Sequence, residues 1–176
     1  MPSITQGSFD RLTAFELPLC MRLNGIENRR FLIVLRIVSR LGDWPAWVAM
    51  AIVYGFLAGP MADPVPQLFL LTSVSLPFYK LTKNSLARER PCIKHQGIDM
   101  LVAPLDRYSF PSGHTLHAVA YTITWCVHTP TLAWLLVPFT GLIALSRVVL
   151  GVHYPSDVIV GAAIGSSLAG LSFWVI

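Results

Sequence analysis

Long apolar runs separated by short polar segments dominate the chain after residue 43. A membrane-spanning helix needs about 20 apolar residues, and this pattern predicts about five spans. Prolines near residues 60–64 and 129–131 indicate tight reversals between them. We therefore expect an all-α fold, a polytopic transmembrane helical bundle whose consecutive spans run in opposite directions. The expected bounds are Trp44–Gly59, Val65–Leu81, His114–His128, Leu132–Gly151 and Tyr154–Ile176.

The first 43 residues have a different pattern. The segment Phe31–Leu41 is apolar but interrupted by Arg36 and Arg40, which predicts an amphipathic helix lying in the membrane interface. Residues 8–24 follow the same pattern less regularly. We expect residues 1–43 to form an N-terminal interfacial segment and residues 44–176 to form a transmembrane domain. Residues 1–30 contain acidic side chains and no long apolar core, so no signal peptide is expected.

Composition supports a membrane protein. Hydrophobic residues make up 54% of the chain, charged residues only 12%, and the mean hydropathy is +0.60. Soluble domains carry about 25% charged residues, so a soluble chain of this size could not bury so much apolar surface. The three cysteines are spaced irregularly, which predicts free thiols rather than disulfides or a metal site.

The Lys and Arg residues all lie on one face of the membrane in the predicted topology. Of the 13 Lys and Arg residues, six precede residue 44, six lie between Lys80 and Arg107, and the last is Arg147. If the spans alternate in direction, all of these positions lie at one membrane face, together with the N-terminus. This distribution fits an anionic lipid surface, and we expect no nucleic-acid partner. The positive-inside rule places that face in the cytoplasm.

The first cluster of polar residues on that face contains Lys83 and Arg90. The two residues are seven apart, so on a helix they would lie on the same side, two turns from each other. Cationic side chains at a membrane surface commonly serve only as anchors. Taken alone, this cluster is therefore weak evidence for a binding site.

The second cluster is Pro111-Ser112-Gly113-His114, immediately before an apolar run. The amide groups at a helix N-terminus bind anions, Gly113 permits close approach to the backbone, and Ser112 adds a hydroxyl donor. A serine N-cap beside a turn glycine would look the same. His117, one turn later, is expected to be a packing residue.

The third cluster runs from Ser146-Arg147 to His153 and Asp157. A guanidinium inside an apolar run is costly and indicates function. Asp157 falls in the first turn of the last helix, within reach of His153. Together the three clusters place cations, an anion-binding helix terminus, two histidines and a carboxylate on one face, a combination suited to phosphate chemistry.

These residues resemble the three-part signature of the type 2 phosphatidic acid phosphatase superfamily. The matching motifs are Lys83-x6-Arg90-Pro91, Pro111-Ser112-Gly113-His114 and Ser146-Arg147-x5-His153-x3-Asp157, with every signature position present. The resemblance covers about residues 80–160 and implies a phosphatase core of that family.

The resemblance also implies a metal-independent mechanism without cofactors. His153 would attack phosphorus, Asp157 would orient its ring, and His114 would protonate the leaving oxygen and then activate water. The phosphate-binding groups would be Lys83, Arg90, Ser112, Gly113 and Arg147.

The resemblance implies a lipid phosphate or diphosphate as the substrate. Undecaprenyl diphosphate, phosphatidylglycerol phosphate and phosphatidic acid all occur in the family, and the short N-terminal part resembles small bacterial undecaprenyl-diphosphate phosphatases. Many bacterial relatives act on the periplasmic side, which conflicts with the charge distribution.

Four other functions share some of these features. A lipid phosphotransferase would use the same phosphohistidine, a vanadium haloperoxidase would share the motifs, and a lipid-binding protein would need no intact histidines. A metallohydrolase built on His114, His117, His153 and Asp157 lacks a recognised metal-binding pattern.

The segment from Cys92 to Phe110 is long for a connection without regular structure. It contains the apolar residues Ile98, Met100, Leu101 and Val102 beside charged ones. We expect a lid whose apolar part enters the interface and whose charges surround the headgroup entrance.

Overall fold

Helices dominate the structure, a computed structural model that describes residues 4–59, 63–104 and 106–175. Within these ranges it contains eight α-helices, a 3-10 helix at Pro130–Leu132 and an isolated bridge between Glu89 and Tyr108. The predicted all-α fold is confirmed. The α-helices are α1 (Ile4–Asn24), α2 (Arg29–Leu41), α3 (Trp44–Ala58), α4 (Val65–Leu86), α5 (Pro91–Lys94), α6 (Gly113–His128), α7 (Ala133–Val149) and α8 (Pro155–Ser172).

The N-terminal helices cover the side of the bundle formed by α7 and α8. Asn28 caps α2 by accepting a hydrogen bond from the Phe31 amide at 3.1 Å. Leu35, Val38 and Ser39 of α2 are buried, whereas its apolar residues on the other side are exposed. Helix α2 thus has one face for the protein and one suited to lipid, although its interfacial position stays a prediction.

The predicted spans correspond to α3, α4, α6, α7 and α8. Helix α4 continues past Leu81 to Leu86, so that Lys83 lies in its last turn. Helix α8 starts at Pro155, a residue whose fixed φ and missing N–H suit the first helical position. The predicted end at Ile176 lies outside the described residues.

Close contact between α6 and α8 forms the centre of the bundle. A Cβ added at Gly161 would lie 2.6 Å from the Ser112 carbonyl oxygen, and one at Gly165 would lie 2.3 Å from that of Leu116. Only glycine therefore permits these helices to approach so closely, as the small residues of α8 predict. Gly170 has no such neighbour. A core of aromatic and aliphatic side chains fills the space beside them, including Trp47, Tyr121, Trp125 and Ile143.

The helix ends gather at two opposite ends of the bundle. At the upper end, defined by Lys83, Arg90 and His153, α4 and α7 finish while α6 and α8 begin. At the lower end Gln67 donates to Ser172 Oγ at 2.7 Å, and His128 contacts the Gln67 side-chain oxygen at 2.7 Å. These contacts join the start of α4 to the ends of α6 and α8, so α4, α6, α7 and α8 alternate in direction as predicted.

Length and hydropathy alone identify Pro130–Val149 as a span among the described residues. Helices α2 and α3 would count as a second one only if they were taken together across a bend of 58°. The count of about five spans stays a prediction from the sequence.

Candidate active site

The three sequence clusters meet at the upper end of the bundle. The Ser112 amide donates to the Asp157 carbonyl at 3.0 Å, which joins the start of α6 to the first turn of α8. Arg90, just before α5, donates from Nη1 to the Val152 carbonyl at 2.7 Å. The ends of α4, α6, α7 and α8 therefore bring residues far apart in the sequence to one site.

His153 lies at the centre of this site, in the turn between α7 and α8, and only 2% of its surface is exposed. Its Nε2 is 3.3 Å from Arg90 Nη1, and its Nδ1 is 3.5 Å from Asp157 Oδ2. A guanidinium only donates, so Nε2 is the acceptor and the ring proton belongs on Nδ1, facing Asp157. Nε2 thereby keeps the lone pair that a nucleophile needs.

The surroundings of His153 favour its neutral form. Burial lowers the pKa of His153 well below its ordinary value, and the positive charges of Arg90, Arg147 and Lys83 lower it further. The imidazole is therefore unprotonated at neutral pH. A neutral ring whose Nε2 is unprotonated can attack an electrophilic phosphorus atom once the phosphate takes over the Arg90 hydrogen bond.

A glycine shapes the turn that carries His153. Gly151 has a φ of +78°, and a Cβ there would lie 2.4 Å from the Asp99 carbonyl oxygen. Any other residue would be strained in this conformation and would collide with the loop. The Gly151 carbonyl accepts a hydrogen bond from the Cys92 amide at 3.1 Å, which holds the turn against α5.

Lys83 and Arg90 both bind the carboxylate of Asp106. Lys83 Nζ lies 2.7 Å from Asp106 Oδ1, and Arg90 Nη2 donates to the same oxygen at 2.7 Å. The Tyr79 hydroxyl also donates to this carboxylate. Burial alone would raise the pKa of Asp106, but the hydrogen bonds from Lys83 and Tyr79 and the charges of Lys83 and Arg90 outweigh it, so the pKa lies below its ordinary value. The ionised Asp106 carboxylate is thus bound to both cations that are predicted to bind phosphate.

The start of α6 lies at the site, but the Ser112 side chain makes no capping hydrogen bond to the helix backbone. Ser112 is the N-cap residue and is fully buried, with its hydroxyl 3.0 Å from Thr115 Oγ1. A Cβ at Gly113 would lie 2.6 Å from the ring of Tyr79, so glycine permits this ring to pack against the helix. Both residues lie at the site, and their contact with phosphate stays a prediction.

His114 and Arg147 each face a polar residue from the N-terminal third of the chain. His114 Nε2 is in close contact with Asp43, which precedes α3. Arg147 donates to Ser39 of α2, while its Nε has no hydrogen-bond partner among the described residues. Neither Asp43 nor Ser39 belongs to the sequence clusters.

Several polar residues at this site were not predicted from the sequence. The only sequence signal at Asp43 is its position before Pro45, which is typical of a helix N-cap. Arg88 lies between Lys83 and Arg90, but the motif gives it no role. The contacts of Asp43, Ser39 and Asp106 connect positions far apart in the chain, which spacing along a sequence does not reveal.

The lid expected between Cys92 and Phe110 is wrong in two respects. Ile98 is buried against Cys20 and Tyr154 rather than directed toward the membrane. Asp106 binds the cations of the site instead of surrounding its entrance. Met100 is half exposed, so part of the apolar stretch stays accessible.

His117 packs beside the site, as expected. Its Nδ1 is 2.8 Å from the Gly113 carbonyl oxygen, and its ring lies between those of Tyr79 and Tyr121, with centroids 6.0 and 5.8 Å away. Among the described residues no group of three or more His, Cys, Asp or Glu side chains has the geometry to hold a metal ion.

Comparison with known proteins connects this geometry to a family. The sequence model of the PAP2 superfamily matches residues 65–176, from the start of α4 onward. A decaprenylphosphoryl-5-phosphoribose phosphatase of Mycolicibacterium smegmatis is 36% identical over 134 residues, which cover 72% of this chain and 68% of that protein. The enzyme of the same name from Mycobacterium tuberculosis H37Rv is 39% identical over 92 residues, 52% of this chain and 49% of that protein.

A solved structure has a similar fold over most of the chain. The crystal structure of a transmembrane PAP2-type phosphatidylglycerolphosphate phosphatase from Bacillus subtilis superimposes with a TM-score of 0.78, covering 94% of this chain and 86% of that one. At 21% sequence identity, this similarity concerns the fold. The sequence match covers α4 to α8, and the signature residues lie together at one site. The chain therefore belongs to the PAP2 superfamily of membrane lipid phosphate phosphatases.

Proposed function

We propose that the chain removes phosphate from a membrane lipid through a covalent phosphohistidine on His153. One observation carries this proposal: the buried His153 directs Nε2 toward Arg90 and Nδ1 toward Asp157. A lone pair facing a cationic site, on a ring oriented by a carboxylate, is the arrangement that nucleophilic catalysis needs.

The reaction has two steps. In the first, Nε2 of His153 bonds to phosphorus, the bond to the leaving oxygen breaks, and His114 gives that oxygen a proton. In the second, His114 takes a proton from water, the water oxygen bonds to phosphorus, and the phosphorus–nitrogen bond breaks to release inorganic phosphate. Charge develops on the phosphoryl oxygens throughout, and electrostatic stabilisation by fixed donors is greatest there. The proposed donors are Lys83, Arg90, Ser112, the Gly113 amide and Arg147.

The contacts of the site support these roles. The phosphate would replace the Asp106 carboxylate on Lys83 and Arg90, because one anion can take the place of another on the same donors. Asp43, in contact with His114 Nε2, would orient the ring for proton transfer.

An apolar groove provides a place for the lipid tail. A cavity of about 700 Å³ lies between α3 and α4 and is lined almost entirely by apolar side chains. At its inner end the Tyr121 ring lies 5.8 Å from that of His117, one turn along α6 from His114. Trp44, which also lines the groove, follows Asp43 directly. A tail in this groove would therefore hold its headgroup next to the site.

For the substrate we propose a phosphate carried by a polyprenyl lipid. The two similar mycobacterial proteins are named for a decaprenyl-linked phosphate, and the groove between α3 and α4 is lined almost entirely by apolar side chains. Undecaprenyl diphosphate belongs to the same chemical class. Phosphatidylglycerol phosphate and phosphatidic acid, each with two acyl chains, are the alternatives within the family.

We further propose that residues 1–43 lie in the membrane interface, on the same face as the site, while residues 44–176 form a transmembrane domain with about five spans. The test is labelling of single cysteines in a protein whose three cysteines have been replaced. Cysteines at Asp10 and Gln96 should react from one side and a cysteine at Asp63 from the other. Reaction at Asp10 and Gln96 from opposite sides would contradict the proposal, and the side that reacts in intact cells identifies the substrate pool.

The activity is tested with purified protein in mixed micelles. Phosphate release from decaprenylphosphoryl-5-phosphoribose and undecaprenyl diphosphate should exceed release from phosphatidylglycerol phosphate and phosphatidic acid, and it should persist in excess chelator. A preference for diacyl lipids would overturn the polyprenyl assignment. A phosphorylated lipid acceptor in place of inorganic phosphate would identify a phosphotransferase instead.

A further inference from the structure

Arg88 is a buried cation that the proposed phosphate site does not use. It precedes the signature residue Arg90 by two positions, and only 5% of its surface is exposed. One terminal nitrogen donates to Asp157 Oδ1 at 2.6 Å and to Ser156 Oγ at 2.7 Å. The other donates to Glu16 Oε2 at 2.9 Å and to Thr13 Oγ1 at 3.0 Å. The guanidinium thus joins α1 to the first turn of α8.

The two oxygens of Asp157 have different partners. Oδ1 binds Arg88, whereas Oδ2 accepts from the Tyr154 amide at 2.9 Å and lies 3.5 Å from His153 Nδ1. A carboxylate held at one oxygen cannot rotate freely about its side-chain bond. Arg88 at one oxygen and the Tyr154 amide at the other therefore fix the carboxylate together, in the orientation that directs Oδ2 toward His153.

Glu16 holds Arg88 from the opposite side. Its carboxylate also accepts from the Ser156 amide at 2.5 Å and from Ser156 Oγ at 2.9 Å. Arg88 additionally stacks over the ring of Tyr154, with its guanidinium carbon 4.0 Å from the ring centroid. Glu16 and the Tyr154 ring therefore both help to hold the guanidinium against Asp157.

Helix α1 has the surface pattern that this role requires. Its inward side carries buried residues, two of them polar, whereas its outward side carries exposed apolar residues, with Phe15 85% exposed, beside the charged Asp10 and Arg11. Exposed apolar and charged side chains suit a membrane interface, and buried polar side chains suit a hydrogen-bond network inside the protein. The inward residues are Thr13, Glu16 and Cys20, and the outward ones are Leu12, Phe15 and Leu19.

We propose that Arg88 and Glu16 are positioning residues that set the orientation of Asp157, and through it the ring of His153. The inference rests on the proposed nucleophilic role of His153. Neither residue belongs to the proposed phosphate site, so both act on the rate of the chemical steps and not on substrate binding. Arg88 balances two buried carboxylates, so its removal leaves Glu16 and Asp157 as uncompensated like charges.

The charge arrangement predicts unequal effects for the two residues. Arg88→Gln should lower kcat by about 100-fold and Glu16→Gln by about 10-fold, with KM for the lipid unchanged within about threefold. Arg88→Lys retains the positive charge and should recover part of the loss. The double variant should be more active than Arg88→Gln alone, because removing the Glu16 charge relieves the repulsion that Asp157 would meet.

The matched control is Asp10→Asn. Asp10 also ties α1 to the rest of the chain, through a 2.6 Å ion pair with Lys94, but 61% of its side chain is exposed and the pair does not contact Asp157. This variant should keep its kcat. Equal losses in Asp10→Asn and Glu16→Gln would mean that only the attachment of α1 matters, which would overturn the proposal.

The experiment is steady-state kinetics on the full chain in mixed micelles, with a lipid phosphate and a short soluble phosphate ester. A rise in KM at constant kcat in Arg88→Gln would make Arg88 a phosphate ligand and contradict the positioning role. If that variant does not fold, Arg88→Lys and Glu16→Gln decide the question alone, and wild-type kcat in both would overturn it. His153→Ala is assayed in parallel, because full activity there would instead reject the proposed function.

Discussion

The two ends of the helical bundle hold their buried polar groups by different means. At the upper end, charged side chains from several elements lie buried and are paired with Glu16, Asp106 and Asp157. At the lower end, Gln67 joins the Ser172 hydroxyl and the His128 ring without any cation, and residues 59–64, 128–132 and 173–176 contain no Lys or Arg.

This difference distinguishes hydrogen bonds that stabilise the fold from buried charges that suit an anionic substrate. Hydrogen bonds such as those at the lower end each contribute about 1 kcal/mol and are sufficient to join helices. Buried ion pairs often stabilise a protein no more than apolar packing would. The concentration of charge at the upper end therefore indicates a function, namely binding and transferring a phosphoryl group.

The largest expected contrast is between two histidines, one from each end. His153→Ala should reduce phosphate release by about 1,000-fold or more, because no other group can form the covalent intermediate. His128→Ala should leave turnover unchanged and remove the contacts of this ring with Gln67, Asp63 and Phe173, a loss of about 1 kcal/mol in the free energy of unfolding. Turnover and thermal unfolding measured on both variants test this, and comparable turnover in the two would refute the division between the ends.

A smaller contrast concerns two arginines at the upper end. Arg147→Lys keeps the charge but loses the planar fork, and it should lower kcat/KM by about 10-fold, equivalent to about 1.4 kcal/mol. Arg40→Lys, on the exposed side of α2, should have no measurable effect. If both substitutions reduced kcat/KM equally, Arg147 would be a membrane anchor rather than a phosphate ligand.

The third contrast tests the Asp106 carboxylate, which is bound to Lys83 and Arg90. Asp106→Asn removes the anion competing for Lys83 and Arg90, so inorganic phosphate should inhibit at a concentration about three- to tenfold lower. Asp99→Asn, in the same loop, is the control, because its contacts to Asn24 use the backbone. Weaker inhibition in Asp106→Asn would mean that Asp106 holds the cations in place rather than competing with phosphate.

The smallest contrast is a change in pH dependence. The positive charge of Arg147 helps to lower the pKa of His153, so its removal should raise that pKa. His153 would then become protonated, and inactive, at a higher pH. The acid limb of kcat/KM should therefore move to higher pH in Arg147→Gln and stay in place in Arg147→Lys. The same acid limb in both variants would argue that another group controls it.

The sequence allowed prediction of the helices and of the positions that would meet, but not of the partners between them. Apolar runs and prolines have a local cause, so the expected spans match α3, α4, α6, α7 and α8 closely. The motif spacing predicted that Asp157 would lie near His153, and the two side chains are 3.5 Å apart.

The remaining contacts depend on how separate elements pack. Glu16 meets Arg88 across 72 positions, and Ser39 meets Arg147 across 108. The hydrophobic periodicity of α1 and α2 does not predict either pair, because helices with this periodicity could pack against several sides of the bundle. Ile98 was misjudged for the same reason, since an apolar side chain fits a protein core as well as a membrane surface.

The most direct measurement is to identify the residue that becomes phosphorylated during turnover. In the proposed mechanism His114 activates the water that hydrolyses the intermediate. Rapid quenching of the His114→Ala variant with a labelled polyprenyl phosphate should therefore trap the phosphoenzyme, and peptide mapping should locate the label. We predict a phosphoramidate at His153, stable in base and labile in acid, and absent from the double variant that also carries His153→Ala. Label on His117 or another residue, or full turnover without any covalent intermediate, would contradict the mechanism.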